Sequence, residues 1–388
     1  MIQIIDSIIQ TDLYKLTMQQ FVLHFHPSAK VKYIFKCRDK DVKLGFLTEG
    51  IISQINAMQN LRLTINEAKY LVSLNFLSKD YINYLSQYRF NPKHVSVCEY
   101  NGDLEIVIEG PWVDTILWEV PLLSTINELY FKKCSDFEDV KGCGIDKLKN
   151  KINIIKQHPQ FKFAEFGTRR RYSKHWQEYV FKELNENIPN NVIGTSNVYL
   201  AKKYNVTPIG TMAHEVFSAY LAFADNIRNA QKMLLHNWLA EYDTPYGPNL
   251  GIALTDTFGT KSFFEDFNSV LANSYEGVRH DSGDPIKFAN NVIGHYNKLG
   301  IDPRTKNLVF SDGLTIESAM KLFEIFTGKI GVTFGIGTSI TNDLVVKPLN
   351  IVIKLLECNN VPVVKISDEP FKAMGNLEKI NEVKKLYF

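Results

Sequence analysis

The stretch GTMAHE, Gly210 to Glu215, sets an imidazole between a short apolar approach and an apolar run, behind a glycine and a threonine. Imidazole is a largely unprotonated nucleophile at neutral pH, so His214 is a candidate for covalent catalysis, with a backbone-bonded histidine at a helix start as the plain alternative. RHDSGDP gathers Arg279, Asp281 and Asp284 on one loop. Asp284 before Pro285 reads as an N-cap and first helical residue, which leaves Arg279 and Asp281 without a structural reason. Asp256 in LTDTFG, and Asp312 with Gly313 in FSDG, add further acids. FGTRRR offers the flat face of Phe166 and the planar forks of Arg169, Arg170 and Arg171, which suit carboxylate or phosphate. Three consecutive arginines cannot all face inward, so at least one is expected at the surface or in a cap. FGIGTS follows an apolar strand; Gly335 and Gly337 would let backbone N–H groups approach a phosphate, with Thr338 adding a hydroxyl, although a glycine pair also makes an ordinary turn. Together these groups suit an aromatic acid, a phosphate, and a polyol or Mg²⁺, the parts needed to join a ring to a phosphorylated sugar.

The elements that must position these groups repeat. Seven short apolar stretches between Phe163 and Ser339 end in polar or glycine clusters: FAEFGTRRR, VIGTSN, TPIGTMAHE, IALTDTFG, GVRHDSGDP, LVFSDG and VTFGIGTS. Amphipathic helical patterns such as SKHWQEYVFKELNENI, DPIKFANNVIGHYNKLG and TIESAMKLFEIF follow among them, and VFSAYLAFADNI after His214 also reads as helix. Strands alternating with helices predict a parallel sheet, and seven functional strand ends favour a barrel over an open sheet, because a barrel gathers the C-terminal ends of all its strands at one mouth. The first third is mixed: VKYIFKCRD reads as a strand, LTEGIISQINAMQNLR and TINEAKYLVSLNF as helices, and HVSVCEYNGDLEIVIEGPW as a hairpin turning at Asn101-Gly102. TILWEVPLLSTINELYFKK predicts a buried helix opened or interrupted at Pro121, and the polar, glycine-bearing CSDFEDVKGCGIDK a domain boundary near residue 135. His24 and His26 in HFHP lack nearby companions for a metal site and read as a strand or loop end.

At 388 residues and 45% hydrophobic content the chain has material for two domains and a large core. Its 44 basic and 42 acidic side chains leave a formal charge of +2, which favours a small-molecule partner over nucleic acid or a membrane surface. Five scattered cysteines without metal-ligand spacing fit a reducing cytoplasm, and the N-terminal MIQIIDSIIQTDLYKL reads as neither signal peptide nor membrane span. No dedicated set of metal-ligating residues is expected.

The ordered series TDLYKLTMQQ, FKCRDK, RFNP, GPWVDTILWEVPLL, FGTRRRYS, GTSN, GTMAHE, HDSGDP, LVFSDGL, FGIGTSITND and VKPLNIVIKLLEC covers nearly the whole chain and resembles the nicotinate phosphoribosyltransferase family. The resemblance implies an irregular TIM-like α/β barrel (residues 136–349) carrying the site, with a mixed α+β N-terminal domain (1–135) joined by the C-terminal segment 350–388. It implies transfer of phosphoribosyl from phosphoribosyl pyrophosphate (PRPP) to nicotinate, giving nicotinate mononucleotide and pyrophosphate, with ATP as co-substrate, Mg²⁺, and a phosphohistidine at His214. It further implies a homodimer with shared sites, in which the partner's copy of Tyr14 would stack on the pyridine opposite Phe166 and its Arg38 would meet phosphate. Carried over by motif, Phe166, Arg169 and Ser196 would hold nicotinate. Asp256, Arg279 and Asp281 would position ribose and pyrophosphate, and Asp312, Gly313, Gly335, Gly337 and Thr338 would surround the 5′-phosphate. Glu215 would orient His214 or lie on the helix surface. Two alternatives stay open. Nicotinamide phosphoribosyltransferases resemble this chain but carry an aspartate where it has Ser196; an aspartate facing nicotinate would oppose two carboxylates, so serine favours the acid. A non-catalytic pyridine-nucleotide binder on the same barrel would be expected to lack the acids or the histidine, all of which are present.

Overall fold

In the computed structural model, which describes residues 3–242, 250–369 and 372–387, two sheets share the strands. The first is antiparallel, in the order β11-β10-β1-β3-β2, built from β1 (Lys30–Cys37), β2 (Val95–Tyr100), β3 (Asp103–Pro111), β10 (Ile351–Cys358) and β11 (Val361–Pro362). Asn101 and Gly102 turn the β2–β3 hairpin with φ of 51° and 82°, the paired positive angles that a two-residue turn demands. Asn359 and Asn360, at 51° and 62°, do the same between β10 and β11. Strand β10 pairs along β1 from Val31↔Cys358 to Cys37↔Ile351, which lays the C-terminal segment across the N-terminal sheet and delivers its lysines to the barrel.

The second sheet is parallel: β4 (Phe163–Glu165), β5 (Val192–Thr195), β6 (Ile252–Leu254), β7 (Gly277–His280), β8 (Asn307–Phe310) and β9 (Gly331–Ile336), in the order β5-β4-β9-β8-β7-β6. Stacked phenyl rings fill it, Phe310 lying 5.7 Å from Phe334 and Phe161 5.1 Å from Phe334. Six of the seven predicted strand ends are strand ends here. The seventh, TPIGT, makes only an isolated bridge from Pro208 to Thr195. Proline has no N–H for a ladder, and Gly194 passes so close that a Cβ there would lie 2.0 Å from the Thr207 carbonyl oxygen. The segment still spans the gap between the outer strands, since Ile209 N donates to Thr195 O (2.8 Å) and the Thr211 hydroxyl donates to Ile252 O (3.0 Å). This weak closure makes the α/β barrel irregular.

Near residue 135 the chain passes from the helix Glu119–Cys134 to the helix Phe137–Lys156, so CSDFEDVKGCGIDK is mostly helical; Asp136 caps the second helix, its side chain accepting from Glu138 N. Gly144 serves packing, because a Cβ there would meet the Trp176 ring at 2.8 Å. HFHP is the end of a helix, Leu13–Phe25, not of a strand: His24 bonds to Asp80 and Glu241, and His26 is the C-cap. The helix after His214 stops at Ala219 and continues only as a 3₁₀ turn, Tyr220–Ala222. Pro121, by contrast, sits near the start of the buried helix Glu119–Cys134, where proline is tolerated. Among the described residues no helix is long and apolar enough to cross a membrane.

The His26 ring stacks on Phe223 at 3.8 Å and meets Tyr220 edge-on, and burial pushes its pKa down to about 4. Because the folded value lies below the unfolded one, this site's contribution is full above about pH 6.5 and is lost as pH falls toward 4. His26→Phe is therefore expected to lose less melting temperature than the wild type between about pH 7 and pH 5. Equal losses in parallel thermal melts would exclude His26 as a source of acid lability.

Candidate active site

Phe166 leaves β4 with its N–H donating to Ile336 O at 2.9 Å. Its ring lies on Gly335, where a Cβ would come within 2.4 Å of the ring, and a Cβ at Gly337 would approach the Phe166 carbonyl oxygen at 2.7 Å. The glycine pair predicted to cradle phosphate thus has a packing requirement of its own: it seats the aromatic ring. Phe166, Gly335, Arg279 and Leu13 line a mainly apolar cavity inside the barrel. Gly335→Ala is expected to displace the ring, raising the nicotinate KM well above any change in the PRPP KM and costing about 1–3 kcal/mol of stability. Steady-state kinetics with a denaturant melt tests this; unchanged kinetics would mean that the ring's seat is immaterial.

Arg169 is held by Glu119 (Nη1 to Oε1, 3.4 Å) and by Asp12 (Nε to Oδ2, 3.9 Å), with its guanidinium 5.8 Å from the Tyr14 ring centre. Its side chain stays 42% exposed, so it keeps donors for a ligand. Tyr14 belongs to the helix that starts at Leu13, anchored by Leu13 N donating to Ser196 O (2.8 Å). Arg38 stands exposed at the end of β1, 3.5 Å from the Met374 sulfur. Burial first, then Arg169 and Arg38, push the Arg170 pKa down to about 10. As expected, the arginine triplet does not all face inward: Arg169 keeps its exposed side chain and Arg171, buried and donating to Gln177, is the C-cap of the 3₁₀ turn Thr168–Arg170, while Arg170 reaches Asn350 and the Ile351 carbonyl.

Ser196 is buried and its hydroxyl donates to Asp12 Oδ1 at 2.8 Å. Asp12 thus brings a carboxylate to Ser196, partly offset by Arg169. Burial raises the Asp12 pKa, while Arg169 and the Ser196 hydroxyl pull it down. Ser196→Asp would set two carboxylates together and force one to take up a proton. The expected outcome is a loss of nicotinate use and of thermal stability, measured as kcat/KM for nicotinate and nicotinamide beside a melt. Unaltered nicotinate kinetics would remove Ser196 from the pocket.

His214, 9% exposed at its side chain, begins the helix His214–Ala219. Its Nε2 lies 2.8 Å from Asp281 Oδ2, 2.8 Å from Lys365 Nζ and 3.6 Å from Asp256 Oδ1, while Nδ1 lies 3.0 Å from the Thr257 hydroxyl. Burial first, and then the Lys365 charge, push its pKa down to about 4, so the ring is neutral at pH 7. A neutral ring cannot use Nε2 both to donate to Asp281 and to accept from Lys365; in either tautomer one nitrogen keeps a lone pair. Asp281 also accepts from Ser311, and Asp256 Oδ2 accepts from Ser282 (2.6 Å) and Lys365 (3.3 Å). Asp256 Oδ1 and Arg279 Nε are buried without a hydrogen-bond partner. Arrangements this costly leave groups ready for a polar ligand.

Asp312 is paired with Lys372 at 2.8 Å beside Gly313, whose φ of 58° makes the turn after β8. Thr338 opens a single helical turn after Gly337. Asp284 caps its helix as read, accepting from Lys287 N at 2.7 Å. The Glu215 side chain is not on the surface: it is 8% exposed and bound to Lys15, Tyr33 and Trp112 rather than to the His214 ring. The sequence reading missed Asp12, Lys15, Glu119, Thr257, Lys365 and Lys372. For Lys15 a signal exists, a lysine inside the apolar stretch LYKLTMQQF. Lys365 sits just after the C-terminal hairpin, and nothing local sets it apart.

Comparison with known proteins bears on this geometry. A profile described as the nicotinate phosphoribosyltransferase (NAPRTase) family matches residues 161–388, and one for the family's N-terminal domain matches residues 9–127. A nicotinate phosphoribosyltransferase of Xanthomonas euvesicatoria pv. vesicatoria is 44% identical over 96% of this chain and 94% of its own, and one of Burkholderia mallei is 42% identical over 96% and 93%. Crystal structures of nicotinate phosphoribosyltransferases superpose with TM-scores of 0.93 (Vibrio cholerae, 36% identity, 99% of this chain and 94% of that one) and 0.92 (Porphyromonas gingivalis, 33% identity, 99% and 100%).

Proposed function

The chain belongs to the nicotinate phosphoribosyltransferase family, and from that premise we propose that it joins nicotinate to PRPP at this barrel mouth, with turnover coupled to ATP through His214, as an ATP-coupled ligase-type step in NAD salvage. The observation that carries the reading is the pairing, at one mouth, of an aromatic seat with a carboxylate fork and a cluster of His214, Asp256, Asp281 and Lys365. Phe166 and Tyr14 take the pyridine ring, and Arg169 takes its carboxylate as a charged bidentate partner. The bond from ribose C1 to pyrophosphate oxygen breaks as the ring nitrogen bonds to C1. Positive charge then grows on the ribose and negative charge on the leaving oxygens; Asp256 and Asp281 face the first, and Arg279 the second. Asp312, Gly313 and Thr338 hold the 5′-phosphate.

The neutral His214 accepts the γ-phosphoryl of ATP on the nitrogen that keeps its lone pair. A nitrogen–phosphorus bond forms, the bond to ADP breaks, and water later releases phosphate. Asp281 and Lys365 fix the ring, and Lys365 offsets the charge gained. Oxygen donors also fit Mg²⁺ here: the carboxylates of Asp256 and Asp281 present atoms within 4.8 Å of each other and of a His214 ring nitrogen, and Asp256 Oδ1 has no hydrogen-bond partner. When bound, Mg²⁺ would offset the charge of pyrophosphate. A homodimer and a cytoplasmic location belong to the same proposal. The deciding experiment incubates the protein with PRPP and either nicotinate or nicotinamide, with and without ATP. Nicotinate mononucleotide formation stimulated by ATP is expected, and preferential use of nicotinamide would overturn the substrate assignment.

A further inference from the structure

Between the ring-acid pocket and His214 runs a line of buried charges that the reaction above does not use. The Lys15 side chain has no exposed surface, and its Nζ lies 2.6 Å from Glu119 Oε2 and 2.5 Å from Glu215 Oε2. On one side, Glu119 reaches Arg169 at 3.4 Å and the Tyr14 hydroxyl at 3.5 Å. On the other, Glu215 accepts from the Tyr33 hydroxyl and from Trp112 Nε1, both at 2.7 Å on Oε1, and is bonded through the backbone to His214. Packing alone would not call for three charges here, since apolar side chains of similar volume fill such a space without the desolvation cost.

Resting on the reading that Arg169 takes the ring carboxylate, we infer that Lys15 is a positioning residue that couples the occupancy of Arg169 to the setting of His214. A ring carboxylate arriving at Arg169 competes with Glu119 for its guanidinium. Glu119, released in part, turns toward Lys15, and the ammonium shared between the two acids loosens its hold on Glu215. Glu215 lies in the first turn of the helix that His214 begins, so the imidazole shifts against Asp281 and Lys365. Linkage makes the effect reciprocal: what sets His214 also tunes nicotinate affinity.

Protein carrying ring-¹⁵N histidine, with the His214 signals assigned by their loss in His214→Gln, is titrated with nicotinate alone, and binding is followed in parallel by calorimetry. ATP and PRPP are absent, so the result does not depend on phosphorylation. In the wild type, nicotinate is expected to bind and to shift the His214 signals. Two variants cut the line on opposite sides: Glu119→Gln, which leaves Lys15 paired with Glu215, and Lys15→Met with Glu215→Gln, which removes one charge of each sign. Each should still bind nicotinate while its His214 signals stay in place. The double variant should lose about tenfold in kcat with little change in nicotinate KM, a split that general destabilisation would not produce. Because the variants are independent, one folded variant suffices. A nicotinate-induced shift in either variant equal to that of the wild type overturns the coupling. Binding without a shift in the wild type overturns it while sparing the functional reading, and absence of nicotinate binding to the wild type removes both.

Discussion

His214→Ala is expected to abolish ATP hydrolysis and the stimulation of synthesis by ATP, leaving a slow transfer of phosphoribosyl that ATP does not accelerate. Alanine removes the nucleophile and leaves the Asp281 oxygen, the Lys365 ammonium and the Thr257 hydroxyl without their common partner. Transfer itself draws on Asp256, Asp281 and Arg279, which the substitution leaves in place. Incubation with γ-labelled ATP should give an acid-labile, base-stable label on the wild type and none on the variant. Because burial holds the folded His214 pKa near 4, protonation of this ring should not slow labelling between neutrality and about pH 5. A variant that still takes up label and still responds to ATP would return His214 to the role of a helix-start histidine.

Arg169→Ala is expected to raise the KM for nicotinate roughly ten- to hundredfold, corresponding to about 1.5–3 kcal/mol for the loss of a charged hydrogen-bonded partner, with a much smaller effect on PRPP. The side chain is exposed enough to reach a ligand and is oriented by Glu119 and Asp12, which remain after the change. Those two carboxylates then face the ring acid without a cation between them, so part of the loss is repulsion, which salt should weaken. Arg169→Lys restores the charge but not the planar fork and should recover only part of the affinity. Steady-state kinetics in both substrates decides the matter: equal losses for nicotinate and PRPP would point to a damaged fold or to a phosphate role for Arg169.

Local chemistry in the sequence determined the parts of this protein that depend on neighbouring residues. Asn101-Gly102 sets its own turn through positive φ, Asp284-Pro285 starts its own helix, and each apolar run ending in a polar cluster marks a strand delivering side chains to one mouth. Phe166, Arg169, His214, Asp256 and Asp281 could be named for that reason. Tertiary structure decided what depends on distant partners. Pro208 leaves the seventh expected strand as a bridge because its neighbours cannot receive a ladder bond from it. Gly335 is required by the Phe166 ring, which no local rule places above it. Lys365 meets His214 from 151 positions away because β10 crosses the N-terminal sheet and returns the chain to the barrel, and Lys15 meets Glu215 across 200 positions. In sequence a lysine or glutamate on a helix reads as a solvated charge; only packing of the Leu13–Phe25 helix against the barrel removes the water, and the buried charges must then find each other.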